Sequence, residues 1–423
     1  MKILKRIGMA LLALICFGVL AYFGSVLFRT WFPATMEPVA LDTQKLFVEE
    51  QPQEEEPVEE TPEEEPEEEQ PEEEGVDVWK MQAQTYLQTM TLKEKLWQLF
   101  FTTPDDLTGV PGATQAGEMT RKALDEYPVG GLCYFKSNIE DRDQITSMLS
   151  GTAAHTRTPM FLAVDEEGGV VTRLSSVEDL GVTNLGPAAD FGAVGDPNAV
   201  YEAAFALAGQ MYELGFNTDF APVADLYVEG NTEIATRAYS ADPAVVAQMS
   251  GAMVNGLQEN RVAACLKHFP GHGSAQSDTH EGKAISTRTL DELRQEEFVA
   301  FRQGIENDVY FVMMSHLTNE NLSPLPASLS PEVVGLLRDE LGFEGIVITD
   351  SLKMEAIVDE FTSADAAVMA IEAGCDMILM PNDLQVAYEG LLDAVLEDRI
   401  SEERIDESVL RILTVKFKMG IME

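Results

Sequence analysis

The sequence predicts an α/β fold, a (β/α)8 TIM barrel, preceded by a transmembrane helix and a disordered acidic linker. Three observations predict it. Eight short apolar runs alternate with amphipathic stretches after residue 75, the pattern of parallel strands covered on both faces by helices. The segment 76–423 that holds them is long enough for a closed barrel, which commonly needs about 250 residues. The first 75 residues differ sharply from the rest in composition. An open doubly wound sheet is the alternative arrangement of the same elements.

Three domains follow, at 1–30, 31–75 and 76–423. In the first, residues 7–28 form an apolar run of 22 residues without a charge, long enough to cross about 30 Å of hydrocarbon. Lys2, Lys5 and Arg6 precede it, so the N-terminus is expected to stay inside and the remainder to be exported. No small-x-small cleavage site follows Phe23 or Ser25, which favours an uncleaved single-pass anchor over a cleaved secretory signal. Residues 49–74 contain sixteen Glu and no base. Such a segment cannot bury a core, and its charges repel one another, so an extended spacer is expected. It can reach on the order of 80 Å at ~3.1 Å per residue.

In the barrel segment the strand-like runs fall at 96–101, 129–135, 160–164, 218–223, 263–266, 310–314, 345–349 and 377–380. Helices are expected at 197–214, 289–306 and 330–341 between them, with 383–396 and 402–418 closing the ring. Ser330-Pro331 reads as an N-cap followed by proline in the first turn.

Net charge is −45, and residues 75–423 carry −32 of it. So acidic a domain excludes nucleic acid as a partner, because phosphates select Lys/Arg surfaces. Cys16 lies in the apolar run, and Cys133, Cys265 and Cys375 lie in strand-like runs. The last three are too widely spaced for a disulfide framework and are expected to be buried free thiols.

Barrel chemistry sits at the C-terminal ends of strands. There the sequence places Asp165 with Glu166 and Glu167, then Asp225, Lys267-His268, His316, Asp350 and Pro381. Four of the five histidines, His268, His272, His280 and His316, follow the fifth and sixth runs. Asp278 and His280 are two residues apart in a loop made pliable by Gly271 and Gly273. In an extended loop they point the same way, and a carboxylate beside imidazole favours its charged form. A metal held by His268, His272 and His280 is disfavoured, because Lys267 would repel the cation. Asp350 leaves a β-branched strand as either a helix cap or a nucleophile, and local sequence does not choose between them.

The runs Val164-Asp165-Glu166-Glu167-Gly168-Gly169, Asn217 to Asp225, Arg237 to Pro243, Lys267-His268-Phe269-Pro270-Gly271-His272-Gly273 with Asp278-Thr279-His280, and Thr349-Asp350-Ser351-Leu352-Lys353-Met354 resemble glycoside hydrolase family 3, and within it the β-N-acetylglucosaminidase branch. They span most of 85–423 in the family's order, and the Lys-His-Phe-Pro-Gly-His-Gly stretch is highly specific. The resemblance implies a (β/α)8 barrel that cleaves with retention through a covalent glycosyl-enzyme. It implies Asp350 as nucleophile, His280 as acid/base oriented by Asp278, and Asp165, Arg237, Lys267 and His268 as donors and acceptors to the sugar hydroxyls. Asp225 and His316 take supporting roles. Most retaining glycosidases pair two carboxyl groups. An imidazole serves instead if its pKa lies near ambient pH, since it must first give a proton and then take one. Ser274-Ala275 stands where many relatives have Asp-Thr, and Thr279 replaces a usual Ser; neither touches the dyad. No metal or organic cofactor is implied. Larger relatives carry a second α/β domain that can supply a glutamate acid, whereas this resemblance places the acid on the barrel loop.

The expected activity is removal of terminal β-linked N-acetylglucosamine from cell-wall fragments or chitooligosaccharides outside the cell. The competing readings are another exo-activity of the family, β-glucosidase or phosphorylase, and a silent glycan-binding protein.

Overall fold

A computed structural model describes residues 77–275 and 282–423. The expected anchor at 1–30 and linker at 31–75 lie outside these, as do Asp278 and His280. Among the described residues no helix is long and apolar enough to cross a membrane.

Eight parallel strands form one sheet: β1 (Phe100–Thr102), β2 (Gly131–Cys133), β3 (Phe161–Val164), β4 (Thr218–Asp219), β5 (Ala263–Phe269), β6 (Phe311–Met314), β7 (Ile346–Thr349) and β8 (Ile378–Leu379). Each pairs with its successor, from Phe101 against Gly131 to Phe311 against Ile346. β8 returns to β1 through Phe101 against Leu379. A single parallel bridge, Ile348 to Met377, joins β7 to β8 and nearly completes the ring. All eight apolar runs therefore contain a strand.

Boundaries moved where local chemistry overrode the apolar pattern. Leu96–Gln98 is the end of a helix, not strand. Helix α1 (Leu92–Gln98) starts at a capping box, in which Thr91 and Glu94 exchange side-chain bonds to each other's backbone, so the strand waits until Phe100. The expected helix at 289–306 is two, α2 (Leu290–Gln295) and α3 (Glu297–Glu306), broken at Glu296, whose φ of −117° and ψ of −83° leave the helical well. Ser330 does cap the next helix, accepting the Val333 N–H, with Pro331 in its first turn. Regular α-helix ends there at Gly335, and Leu336–Glu340 widens into a π turn.

Inward side chains from around the ring fill the barrel: Phe101, Phe161, Phe220, Phe311, Ile346 and Ile348 belong to one buried cluster. Phe161 and Phe311 meet edge to face at 4.9 Å, a favoured aromatic geometry. Helix α4 (Glu402–Lys418) sends Ile412 and Val415 into the same cluster. Its Lys416 Nζ lies over the Phe161 ring at 5.1 Å. Phe161 opens β3, so this helix closes the N-terminal mouth and leaves the C-terminal mouth for chemistry. Cys133, Cys265 and Cys375 are buried free thiols, as expected.

Candidate active site

The residues after β3, β4, β5 and β7 converge on one cavity of about 190 Å³ at the C-terminal mouth. Asp165, Arg237, Lys267, His268 and Asp350 all line it. Five of the seven residues singled out from sequence are thus brought together. The other two, Asp278 and His280, lie outside the described residues.

Lys267 is the hub. Its Nζ lies 2.9 Å from Asp165 Oδ1 and 2.6 Å from Glu167 Oε1. Burial disfavours its charge, but the two carboxylates outweigh burial and raise its pKa. Arg237 grips Glu167 with two parallel bonds of 2.8 Å and reaches Glu233 at 3.2 Å. Glu167 is buried, which pushes its pKa up, yet Lys267 and Arg237 bring it down to about 2. Arg173 completes the ring at 3.5 Å from Asp165 Oδ2. The polar groups are therefore charged, paired and fixed before any substrate arrives.

His268 is held from below. Asp225, fully buried, accepts His268 Nδ1 at 2.7 Å and the His268 N–H at 3.2 Å through Oδ2. Its Oδ1 accepts the His272 N–H at 2.6 Å. This carboxylate staples the end of β5 to the start of the loop and leaves Nε2 of His268 as the nitrogen available to the cavity. His272 turns to Glu233, Nε2 to Oε2 at 3.0 Å. Burial lowers the His272 pKa, and Glu233 and Asp225 more than reverse it. The loop base is tightly seated: a Cβ on Gly273 would stand 1.8 Å from the Leu226 carbonyl oxygen. Gly271 sits at φ +129° against Glu297, a conformation and a space that only glycine fits.

Asp350 follows β7. Its N–H donates to the Met314 carbonyl and its Oδ1 accepts the Ser351 N–H at 2.6 Å. It caps no helix: the next one begins at Glu355 after Met354, without a side-chain cap. Burial raises its pKa, but His268, His316 and the Ser351 N–H together lower it, so the carboxylate is ionised and exposed to the cavity. His316 stands behind it, Nδ1 to Ser328 Oγ and Nε2 to the Ser351 carbonyl oxygen, both 2.8 Å. Burial lowers the His316 pKa, and its Nε2 donates to that carbonyl, which can only accept.

This arrangement has relatives. The model of the glycosyl hydrolase family 3 N-terminal domain matches residues 91–415. The chain belongs to glycoside hydrolase family 3. A β-hexosaminidase of Stenotrophomonas maltophilia (strain K279a) is 38% identical over 282 residues, 65% of this chain and 82% of that protein. A family 3 β-N-acetylglucosaminidase from Paenibacillus sp. str. FPU-7 superposes with TM-score 0.73 at 36% identity over 78% of this chain. The chain spans 63% of the length of that enzyme. A family 3 glycosyl hydrolase from Mycobacterium smegmatis str. MC2 155 gives TM-score 0.70 at 32% identity, covering 78% of this chain and 98% of its own. The chain is thus a glycoside hydrolase of the family's β-N-acetylglucosaminidase branch.

Of the other charged residues lining the cavity, Arg173 and Glu233 were not singled out from sequence, and Glu167 and His272 were named there without a role in the site. Glu167 was visible as a strand-end carboxylate beside Glu166, and only the fold separates the two. Glu166 turns away and accepts the N–H groups of Arg173, Leu174 and Ser175 at 2.7, 2.7 and 3.1 Å. Glu167 turns in. Among the described residues no group of His, Cys, Asp and Glu side chains is placed to hold a metal.

Proposed function

We propose that the protein is a retaining exo-β-N-acetylglucosaminidase that removes terminal β-linked N-acetylglucosamine from cell-wall fragments or chitooligosaccharides. The observation that carries this reading is the ionised Asp350 on the cavity wall, beside a preformed set of charged donors and acceptors. Asp165, Lys267, His268 and Arg237 hold the hydroxyls of the terminal sugar, so that C1 lies over Asp350. Asp350 attacks C1 and forms the glycosyl-enzyme. His280, oriented by Asp278, protonates the departing oxygen and then deprotonates the water that releases the sugar.

The acetamido group is supported by the apolar side of the cavity. Met313, Met354, Leu379 and Met380 line it together with Asp350. The 2-substituent is adjacent to C1, so it must lie close to Asp350, where the acetamido methyl finds apolar partners. Residues 1–30 as a membrane anchor and 31–75 as a spacer would hold the barrel outside the cell.

The test is hydrolysis of 4-nitrophenyl β-N-acetylglucosaminide beside the matching β-glucoside by residues 76–423. The acetamido sugar should be strongly preferred. Preference for the glucoside overturns the specificity and moves the protein to the β-glucosidase reading. Formation of sugar 1-phosphate in phosphate buffer would overturn hydrolysis in favour of phosphorolysis. Asp350→Ala should abolish turnover with the fold intact; near-normal activity sinks the nucleophile assignment.

A further inference from the structure

A second cavity, of about 510 Å³, opens next to the first and is lined by Thr103, Asp106, Phe135, Ser137 and Lys353 among others. Its volume falls in the range of ligand clefts, roughly 300–1,000 Å³. The two spaces share a wall. Phe135 lines both, and Lys353 lines the second while its neighbours Ser351 and Met354 line the first. That wall is fixed: the Leu352 N–H donates to the Leu379 carbonyl at 3.0 Å, and His316 holds the Ser351 carbonyl.

We infer that this groove is the subsite for the leaving sugar, the pyranose joined to the terminal unit; the inference rests on the hydrolase reading above. A glycan bound with C1 over Asp350 must extend out of the cavity, and the groove begins where the 350–354 segment ends. Its chemistry suits a pyranose. Phe135 offers an aromatic surface to the sugar's C–H face, with the Arg173 guanidinium 5.3 Å from its centroid on the site side. Lys353 Nζ lies 2.7 Å from both Asp106 carboxylate oxygens, and Asp106 Oδ2 also accepts Thr103 Oγ1 at 2.8 Å. A half-exposed pair of this kind contributes little to stability. It does place a donor and an acceptor side by side, the combination that a sugar hydroxyl reads. The groove is preorganised as well. Asp105 ties the Gly112 and Ala113 N–H groups to Asn138 Nδ2, and Asn138 Oδ1 accepts the Phe135 N–H at 2.9 Å.

The test uses the full chain with Lys353→Met, which removes the donor, and Ser137→Trp, which fills the groove from an exposed position in the 3-10 turn Lys136–Asn138. Each is assayed on the β-1,4-linked disaccharide of N-acetylglucosamine and on 4-nitrophenyl β-N-acetylglucosaminide. Lys353→Met should lose about tenfold in kcat/KM on the disaccharide, the worth of one charge-assisted bond, and Ser137→Trp about as much by excluding the leaving sugar; both should stay within about twofold of wild type on the nitrophenyl substrate. Equal losses on the two substrates, or none on either, overturn the subsite while leaving the hydrolase reading in place. A wild-type chain silent on both substrates overturns the hydrolase reading and the subsite with it.

Discussion

Arg237 and Glu167 face each other across the cavity with two parallel bonds of 2.8 Å, Nε to Oε2 and Nη2 to Oε1. The same carboxylate holds Lys267 at 2.6 Å. One buried anion therefore orients two cations, from β5 and from the loop after β4. Forked Arg–carboxylate geometry fixes direction as well as charge, and a donor fixed in advance loses less freedom when a sugar arrives.

Glu167→Gln keeps the shape and removes the charge, leaving Lys267 and Arg237 to repel each other in a dry site. Breaking a buried pair this way costs about 3–5 kcal/mol. Both kcat/KM, by on the order of 10²-fold or more, and the melting temperature should fall. The carboxyl titrates near 2 when folded, against about 4.3 unfolded. A depressed carboxyl pKa contributes stability that is present above the unfolded value and lost as pH falls toward 2. The gap between wild type and variant in urea melts should accordingly narrow below about pH 4. A gap that is constant from pH 7 to pH 3 would contradict the charge network.

His280→Ala tests the acid. A nitrophenolate leaves without a proton, whereas a sugar alkoxide does not. The variant should lose far more kcat on the disaccharide than on the nitrophenyl glycoside, and added azide should restore part of the nitrophenyl turnover by attacking the glycosyl-enzyme. Equal losses on the two substrates would count against an acid at this position.

Much of this was legible in the sequence because barrels put chemistry at strand ends. Asp165, Lys267, His268 and Asp350 each stand at the end of an apolar run, where a polar residue is conspicuous. Glu233 gave no such signal, and His272 stood out only as one histidine of the loop, without a partner. They meet only because the loop after β4 folds over the loop after β5, where Asn231 Nδ2 holds the His272 and Gly273 carbonyls at 3.3 and 3.2 Å. The pairing of Glu167 with Arg237 spans 70 positions, a separation that no local pattern encodes. The break at Glu296 was hidden for a related reason. Glu296 and Glu297 both pair with Arg288, at 2.7 and 3.2 Å, and Glu297 is buried against Gly271. Tertiary contacts, not propensity, break the helix there.

Asp219 at the end of β4 is fully buried; its Oδ1 accepts the Glu166 N–H at 2.9 Å and its Oδ2 has no partner among the described residues. Burial raises its pKa well above the ordinary value. A carboxyl whose pKa is raised on folding subtracts stability progressively once pH exceeds its unfolded value, about 3.9. Asp219→Asn does not titrate. Its stability relative to wild type should therefore improve steadily as pH rises from 4 to 7 in urea melts, whatever its offset at pH 4. A relative stability that declines with pH would show that the carboxyl is ionised in the fold.

Lys416 carries the opposite sign at the other mouth of the barrel. It is fully buried on helix α4, donates to Gln98 Oε1 at 2.7 Å and stands over Phe161. Burial lowers its pKa from 10.5 to about 7. Between these values the unfolded chain binds the extra proton, so stability rises with pH from about 7 to about 10 and is at its lowest, on this account, below 7. The full span corresponds to a few kcal/mol at ~1.4 kcal/mol per unit. Lys416→Met fills a similar volume without a charge, at the cost of an unpaired Gln98 oxygen worth about 1–3 kcal/mol. The variant should lose the rise between pH 7 and pH 9 that wild type shows in denaturant melts, and its advantage should be largest at pH 6. Parallel pH profiles for the two proteins would mean that Lys416 keeps its proton inside the fold, with Gln98 and the Phe161 ring sufficient to hold the charge.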